Sequence, residues 1–327
     1  MSRPAVSVVV PFAGSADAAR HVVARFGGLR LGGDDQLIIA DNSGTVSIAE
    51  SPPTAPRPGH AGISPIIVRA SGEASASHAR NAGAGAAVND WILFLDADVY
   101  PPADLVDAFF AEPIADDIGA VTGDIHGIPD TSTLAARYGT ARNFLGQRSH
   151  VMNPYRPRAS SANLLVRRVA FEQVGGYTEG IWAAEDTDFT WRLQEAGWKL
   201  GFNEHAVVQH EYRTTLRALG RQWRGYAAGA AWLSRRYPDF KPDPGLGRLA
   251  RILLKKAGIG EGVAFRADGR SDASSARLSA VERAQFFLIN CYLGVEEQIG
   301  LRMSNEVKRA DVSGDEASGA RTAQDGT

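Results

Sequence analysis

Trp91-Ile92-Leu93-Phe94-Leu95-Asp96-Ala97-Asp98 is an apolar run that ends in two carboxylates spaced i, i+2. Such a run reads as a strand, and in open α/β sheets ligands bind beyond the carboxyl ends of the strands, where this acidic pair falls. Two carboxylates there repel unless a cation lies between them and bound phosphates, and Mg²⁺ or Mn²⁺ takes oxygen ligands of this kind. A plain Asx turn closing the strand is the competing account.

Around this stretch, the first hundred residues alternate short β-branched runs with Ala-rich stretches, the pattern of βαβ units in a parallel sheet. Strands are expected at Val6 to Val10, Gln36 to Ala40, Ile66 to Arg69 and Trp91 to Leu95, with helices over 16–26 and 75–88. The Pro-containing connection from Ser43 to Pro65 is longer than most structureless loops and is read as a surface excursion beside the site. Pro101-Pro102 opens a helix through Phe110, and Ile118 to Thr122 is a further strand. Then come a helix over 134–144, a strand over 163–166, a short helix through Phe171 and a turn at Gly175-Gly176. A helix from Asp186 to Ala196 stops at Gly197, and a long one covers 215–237. Amphipathic helices are expected over 246–257 and 278–300, before a polar tail from Ser304 read as disordered.

With 44% hydrophobic and 22% charged residues and a formal net charge of −2, the 327-residue chain has an ordinary globular composition and no global attraction for nucleic acid. The single cysteine, Cys291, excludes an intramolecular disulfide and a cysteine-based zinc site, and fits a reducing compartment. No signal-like apolar stretch follows the first residues, and no run reaches the roughly 20 residues of a spanning helix. A cytoplasmic location is therefore expected.

Other segments carry candidate chemistry. Ser77-His78-Ala79-Arg80-Asn81-Ala82-Gly83-Ala84-Gly85 is a small-residue helix that leaves Arg80 and Asn81 as its conspicuous polar groups. A guanidinium there can pair with phosphate, and the small residues equally suit tight packing of helix on sheet. Pro11-Phe12 and Asp41-Asn42-Ser43-Gly44 end the first two strands, where Asp41 can accept from a nucleobase N–H or simply shape a turn. The acidic cluster Glu185-Asp186-Thr187-Asp188 opens a helix, where the macrodipole favours carboxylates, and one of them can also serve as general base. Arg192 lies four residues after Asp188 and can pair with it, leaving Asp186 as the better base. His210 closes the run Ala206-Val207-Val208-Gln209 and reads as a core histidine or as a further metal ligand.

In order and spacing, the segments near residues 6, 41, 80, 96, 185 and 210 resemble family 2 of the inverting glycosyltransferases, over about residues 5 to 237. The resemblance implies a GT-A fold, a Rossmann-like mixed, mostly parallel α/β sheet flanked by helices, with a helical C-terminal extension. Residues 1–237 would form the transferase domain, with 1–124 binding the nucleotide sugar and 125–237 the acceptor; 238–303 would be the extension and 304–327 the tail. By the same resemblance Asp41 would recognise the base beside Pro11 and Phe12, and Arg80 would lie close to the nucleotide. Asp96 and Ala97 would approach the ribose and metal, Asp98 would ligate the metal bridging the diphosphate, and His210 would be a late metal or phosphate contact. Asp186 would be the catalytic base, and Asn163, Gly176, Trp182 and Glu185 would line the donor-sugar and acceptor pockets.

The implied reaction moves one sugar from a nucleotide-diphosphate sugar, a UDP-sugar first, onto a sugar, lipid-linked or small-molecule hydroxyl. Asp41-Asn42-Ser43-Gly44 departs from the commoner Asp-Asp-Gly-Ser, which leaves the base open. Arg221-Gln222-Trp223-Arg224 does not form the Gln-x-x-Arg-Trp signature of processive synthases, so one sugar per encounter is expected. Arg213, Arg217, Arg221 and Arg224 recur at helical spacing opposite Leu216, Leu219, Trp223 and Tyr226. They read as a solvated face over a core stripe, or as a contact for anionic lipid at the inner face of the membrane, with Arg248, Arg251 and Lys255 a second such patch. A nucleotidyltransferase would show a Gly-rich loop after Val10, and a dinucleotide oxidoreductase would show G-x-G-x-x-G opening its first helix; neither is present. A nucleotide-sugar-binding module without turnover stands as the non-enzymatic alternative.

Overall fold

The computed structural model describes residues 3–44, 64–129, 132–153, 156–242 and 279–307. Eight strands form one sheet: β1 (Val6–Phe12), β2 (Gln36–Asp41), β3 (Ile66–Arg69), β4 (Trp91–Leu95), β5 (Val99–Tyr100), β6 (Ile118–Gly127), β7 (Asn163–Arg167) and β8 (Lys199–His210), in the order β3-β2-β1-β4-β7-β6-β8-β5. Strands β3, β2, β1 and β4 are parallel, as the βαβ pattern requires. Strand β7 enters antiparallel between β4 and β6, and β5 closes the far side antiparallel to β8.

The apolar run of β4 is continuous because its two faces feed different layers. Trp91, Leu93 and Leu95 join a core with Val22 and Phe26 of α1 (Ala16–Phe26) and Leu105 and Phe109 of α3 (Leu105–Phe109). Ile92 and Phe94 face the opposite layer with Phe171, Tyr177 and Phe189. Strand side chains alternate between faces, so a strand buried on both sides shows no polar alternation. Each such large side chain contributes roughly 1.5–3 kcal/mol by leaving water.

Helix α2 (Ala76–Gly85) is capped by Ser75 and ends sooner than the expected Val88. Gly83 lets it sit against the sheet: a Cβ there would stand 2.5 Å from Val9 Cγ1. The middle of the chain adds α4 (Leu134–Arg142), α5 (Arg148–Val151), α6 (Arg168–Gln173), α7 (Glu185–Glu195) and α8 (Leu216–Arg236). A final helix, α9 (Ala280–Gly300), starts at a capping box of Ser279 and Glu282. It packs Phe286, Ile289 and Leu293 against Tyr138 and Leu219, and its Glu296 pairs with Arg224 of α8.

Several expectations need correction. Leu216 and Tyr226, expected on the core side of α8, are 40% and 47% exposed; Leu219 is buried as expected, and it is joined by Leu233 and by Gly220, Ala227, Ala228 and Ala231, small residues that admit close neighbours. Arg224 is engaged by Glu296, so only Arg213, Arg217 and Arg221 of the basic row are exposed. The tail read as disordered from Ser304 begins with described residues that pair with residues 180–183, and Asn305 is buried. The expected helix over 246–257, the second basic patch, most of the connection from Ser43 to Pro65 and residues 308–327 lie outside the described residues. No helix among the described residues is long and apolar enough to cross a membrane.

Candidate active site

Strand register decides which side chains meet. Phe12 is level with Asp41, Leu95 with Asn163, and Val99 and Gly127 both with His210. The carboxyl ends of β1, β2, β4, β6 and β8 and the start of β7 therefore share one edge of the sheet. Pro11, Phe12 and Asp41 are strand residues there: Phe12 and Asp41 are buried, and Asp41 Oδ1 accepts from Ser43 N at 3.0 Å. The turn after β4 is stapled from below by Arg25, which sequence reading passed over. Its guanidinium donates to the Ala97 carbonyl at 2.6 Å and stacks 3.8 Å over the Tyr100 ring.

Arg80 is buried and donates to Asp96 Oδ1 at 2.6 Å and to Glu185 Oε1 at 2.9 Å. Burial works to lower its pKa, and the charges of Asp96 and Glu185 outweigh that and hold it above the ordinary guanidinium value. The guanidinium expected to lie close to the nucleotide is engaged by two carboxylates from distant elements, which it ties together.

Asp98, whose side chain is 51% exposed, stands 3.2 Å from Nε2 of the buried His210. Burial pushes the Asp98 carboxyl up, but the hydrogen bond and charge of His210, with Arg213 beyond, hold it below the usual range. One carboxylate and one imidazole fit a divalent cation that takes its other ligands from phosphate and water, as Mg²⁺ and Mn²⁺ do. Among the described residues no group of three or more acidic, His or Cys side chains is arranged to hold a metal by itself.

Helix α7 begins after Ala184, which has φ +69° and offers no side-chain cap. Asp186 Oδ1 accepts from Thr187 N at 2.6 Å. Burial first, and then the neighbouring charge of Glu185, push the Asp186 carboxyl up to about 7 against the pull of Arg80 and Thr187. Asp188 pairs with Arg192 as expected, at 2.8 Å, and is fully buried beneath Thr178, Tyr237 and Arg236. Arg158 is a second charged residue that sequence reading passed over: burial lowers its pKa, and the charge of Asp186 acts against that. Nothing local in the sequence marks it.

Two expected pocket residues are packed closely among protein groups. Asn163 is fully buried, with its amide donating to Asp124 O and Ala206 O at the bulge where β6 and β8 change register. Gly176 lies under Asn81 and Phe171 at φ +70°, where a Cβ would stand 2.7 Å from Asn81 Oδ1. Trp182 is 42% exposed and packs against α8 at Gly225, where a Cβ would approach its ring to 2.8 Å.

A mostly parallel sheet interrupted by one antiparallel strand, with acidic residues gathered at the strand ends, is the GT-A fold. The chain belongs to the glycosyl transferase family group 2, whose family model matches residues 91–264 and so takes in Asp96, Asp98, Asp186 and His210. It is 30% identical over 271 residues to the pre-mycofactocin glycosyltransferases of Mycobacterium tuberculosis strains CDC 1551 / Oshkosh and ATCC 25618 / H37Rv. The aligned region is 76% of this chain and 55% of each relative, so the chain spans about half the length of these curated relatives. Among solved structures, the mannosyltransferase PcManGT from Pyrobaculum calidifontis in complex with GDP-Man and Mn²⁺ is similar with a TM-score of 0.58 and 17% identity, over 91% of this chain and 87% of that one. That likeness is one of fold.

Proposed function

We propose that the chain is a divalent-cation-dependent, inverting glycosyltransferase that moves one sugar from a nucleotide-diphosphate donor to an acceptor hydroxyl. The observation that carries this reading is the double ion pair of Arg80, which joins the turn after β4 to the start of α7. Residues 1–124 serve as the nucleotide-sugar half and 125–237 as the acceptor half.

In this reading Asp41, with Pro11 and Phe12, holds the base, Asp96 and Ala97 lie along the ribose, and Asp98 and His210 hold the cation with the donor diphosphate. A bound Mn²⁺ or Mg²⁺ offsets the charge that grows on the leaving diphosphate. Asp186 takes the acceptor proton as the acceptor oxygen bonds to the anomeric carbon from the opposite face. The carbon–oxygen bond to phosphate breaks, its electron pair leaves with the nucleoside diphosphate, and the configuration inverts. A carboxyl near 7 is suited to this task, since the best general base has a pKa close to the working pH. Trp182, exposed at the rim, offers an apolar face to the acceptor.

UDP-sugars are the first donors to test, with GDP-mannose beside them because the base contact is open, and a pre-mycofactocin-like small molecule is one acceptor that the relatives suggest. The test compares nucleoside-diphosphate release by the native chain and by Asp186→Asn. Loss of at least about 100-fold in kcat with donor binding retained is expected; equal rates would remove Asp186 from the chemistry.

A further inference from the structure

The segment after α9 has no part in the chemistry above, yet it is built against the stretch just before α7. Residues 304–307 cross the stretch that leads into α7. Trp182 N donates to Asn305 O at 3.2 Å, Val307 N donates to Gly180 O at 2.9 Å, and Ile181 and Glu306 form an antiparallel bridge. Trp182 Nε1 donates to Ser304 O at 3.2 Å. Asn305 is 1% exposed, and its side-chain Nδ2 donates to Ala183 O at 2.9 Å.

The turn it holds is strained. Ala184 occupies the left-handed region at φ +69°, which is unfavourable for any residue with a Cβ, and no side chain caps the helix that follows. On its other side the turn lies against α8, where a Cβ at Gly229 would stand 2.7 Å from Ala184 Cβ. Strained backbone persists where its surroundings over-determine it, and here those surroundings are α8 and the 304–307 segment. Glu185 and Asp186 come next in the chain.

Main-chain bonds at Gly180 and Trp182 tie this segment to the stretch before α7, and the Asn305 side chain adds a bond of its own further along that stretch. Among the described residues its amide is the group bonded to the Ala183 carbonyl, one residue before the strained φ. We infer that Asn305 is a positioning residue, which holds the Ala183–Ala184 turn so that α7 presents Asp186 to the acceptor. The inference rests on the function proposed above. It makes a segment beyond the sheet and its flanking helices part of the working enzyme.

The test uses the full chain with Asn305→Ala, and with Glu306→Ala as a control that keeps every main-chain bond. The donor is whichever of UDP-glucose, UDP-N-acetylglucosamine or GDP-mannose raises the melting temperature of the native chain with Mn²⁺. Its Kd is measured by calorimetry, and kcat for nucleoside-diphosphate release is taken per folded molecule. Asn305→Ala is expected to lower kcat about 10-fold or more, the scale on which small misplacements of a reacting group act, with donor Kd changed less than about 2-fold. Glu306→Ala should match the native chain. Should Asn305→Ala not fold, the same split is expected of Asn305→Ser, which fills more of the site yet does not reach the carbonyl. Unchanged kcat, a parallel loss of kcat and donor affinity, or failure of both Asn305 variants to fold would each overturn the inference in favour of a purely structural role. A native chain that releases no nucleoside diphosphate from any of the three donors would instead defeat the proposed function, and this inference with it.

Discussion

The carboxylates of Asp96 and Glu185 share one buried guanidinium, that of Arg80, at 2.6 and 2.9 Å. One belongs to the turn after β4 and the other to the first turn of α7, so a single cation joins two elements distant in sequence. Removing it leaves two carboxylates facing each other with no counter-charge.

Arg80→Met should therefore destabilise the fold by about 2–4 kcal/mol in urea unfolding, somewhat under the cost of breaking a fully buried pair because Asp96 is partly exposed. Arg80→Lys should recover only part of this loss, since an ammonium lacks the planar fork that spans both carboxylates. A variant as stable as the native chain would show that the bracket is dispensable.

The fold was legible where the signal is local or where burial is two-sided. The β4 run, the capped helices and the Asp188–Arg192 pair each depend on neighbours within a turn or a strand. Strand pairing direction leaves no mark in composition, so antiparallel β7 and the polar first half of β8 went unread. At the site, the residue types stood out in the sequence, but the protein contacts of Arg80 and Asn163 did not. Both depend on tertiary packing, which has one join two carboxylates from distant elements and the other satisfy carbonyls at a bulge. The pairing of residues 304–307 with 180–183 is long-range and had no sequence signal at all.

Asp186 gives a pH dependence of definite sign. Its carboxyl is pushed up to about 7, first by burial, so it accepts a proton only above that pH, and kcat/KM should rise through a limb near pH 7. The same shift makes ionisation costly to the folded state. The cost is absent below the ordinary carboxylate range, grows as pH rises toward 7, and is complete above it. Asp186→Asn should thus melt higher than the native chain at pH 8, by roughly 1–3 kcal/mol, with the difference vanishing near pH 4. A limb near pH 4, or an Asn variant less stable at pH 8, would contradict this environment.

Asp188 is the contrasting carboxylate. It is fully buried and bound by Arg192, Arg236, Thr178 and Tyr237, so Asp188→Asn should cost about 3 kcal/mol of stability by leaving the largely buried Arg192 without its counter-charge. Turnover per folded molecule should stay within about 10-fold of native, a smaller loss than a catalytic base would give. Urea unfolding together with rates corrected for the folded fraction separates the two acids.

The most direct measurement is the melting temperature with a nucleotide sugar, with and without Mn²⁺, for the native chain, Asp98→Ala and Asp186→Asn. A ligand bound by the folded state alone raises that temperature. The account predicts a Mn²⁺-dependent rise in the native chain and in Asp186→Asn, and its loss in Asp98→Ala. An equal rise in Asp98→Ala would contradict the assignment of the cation to the Asp98–His210 pair.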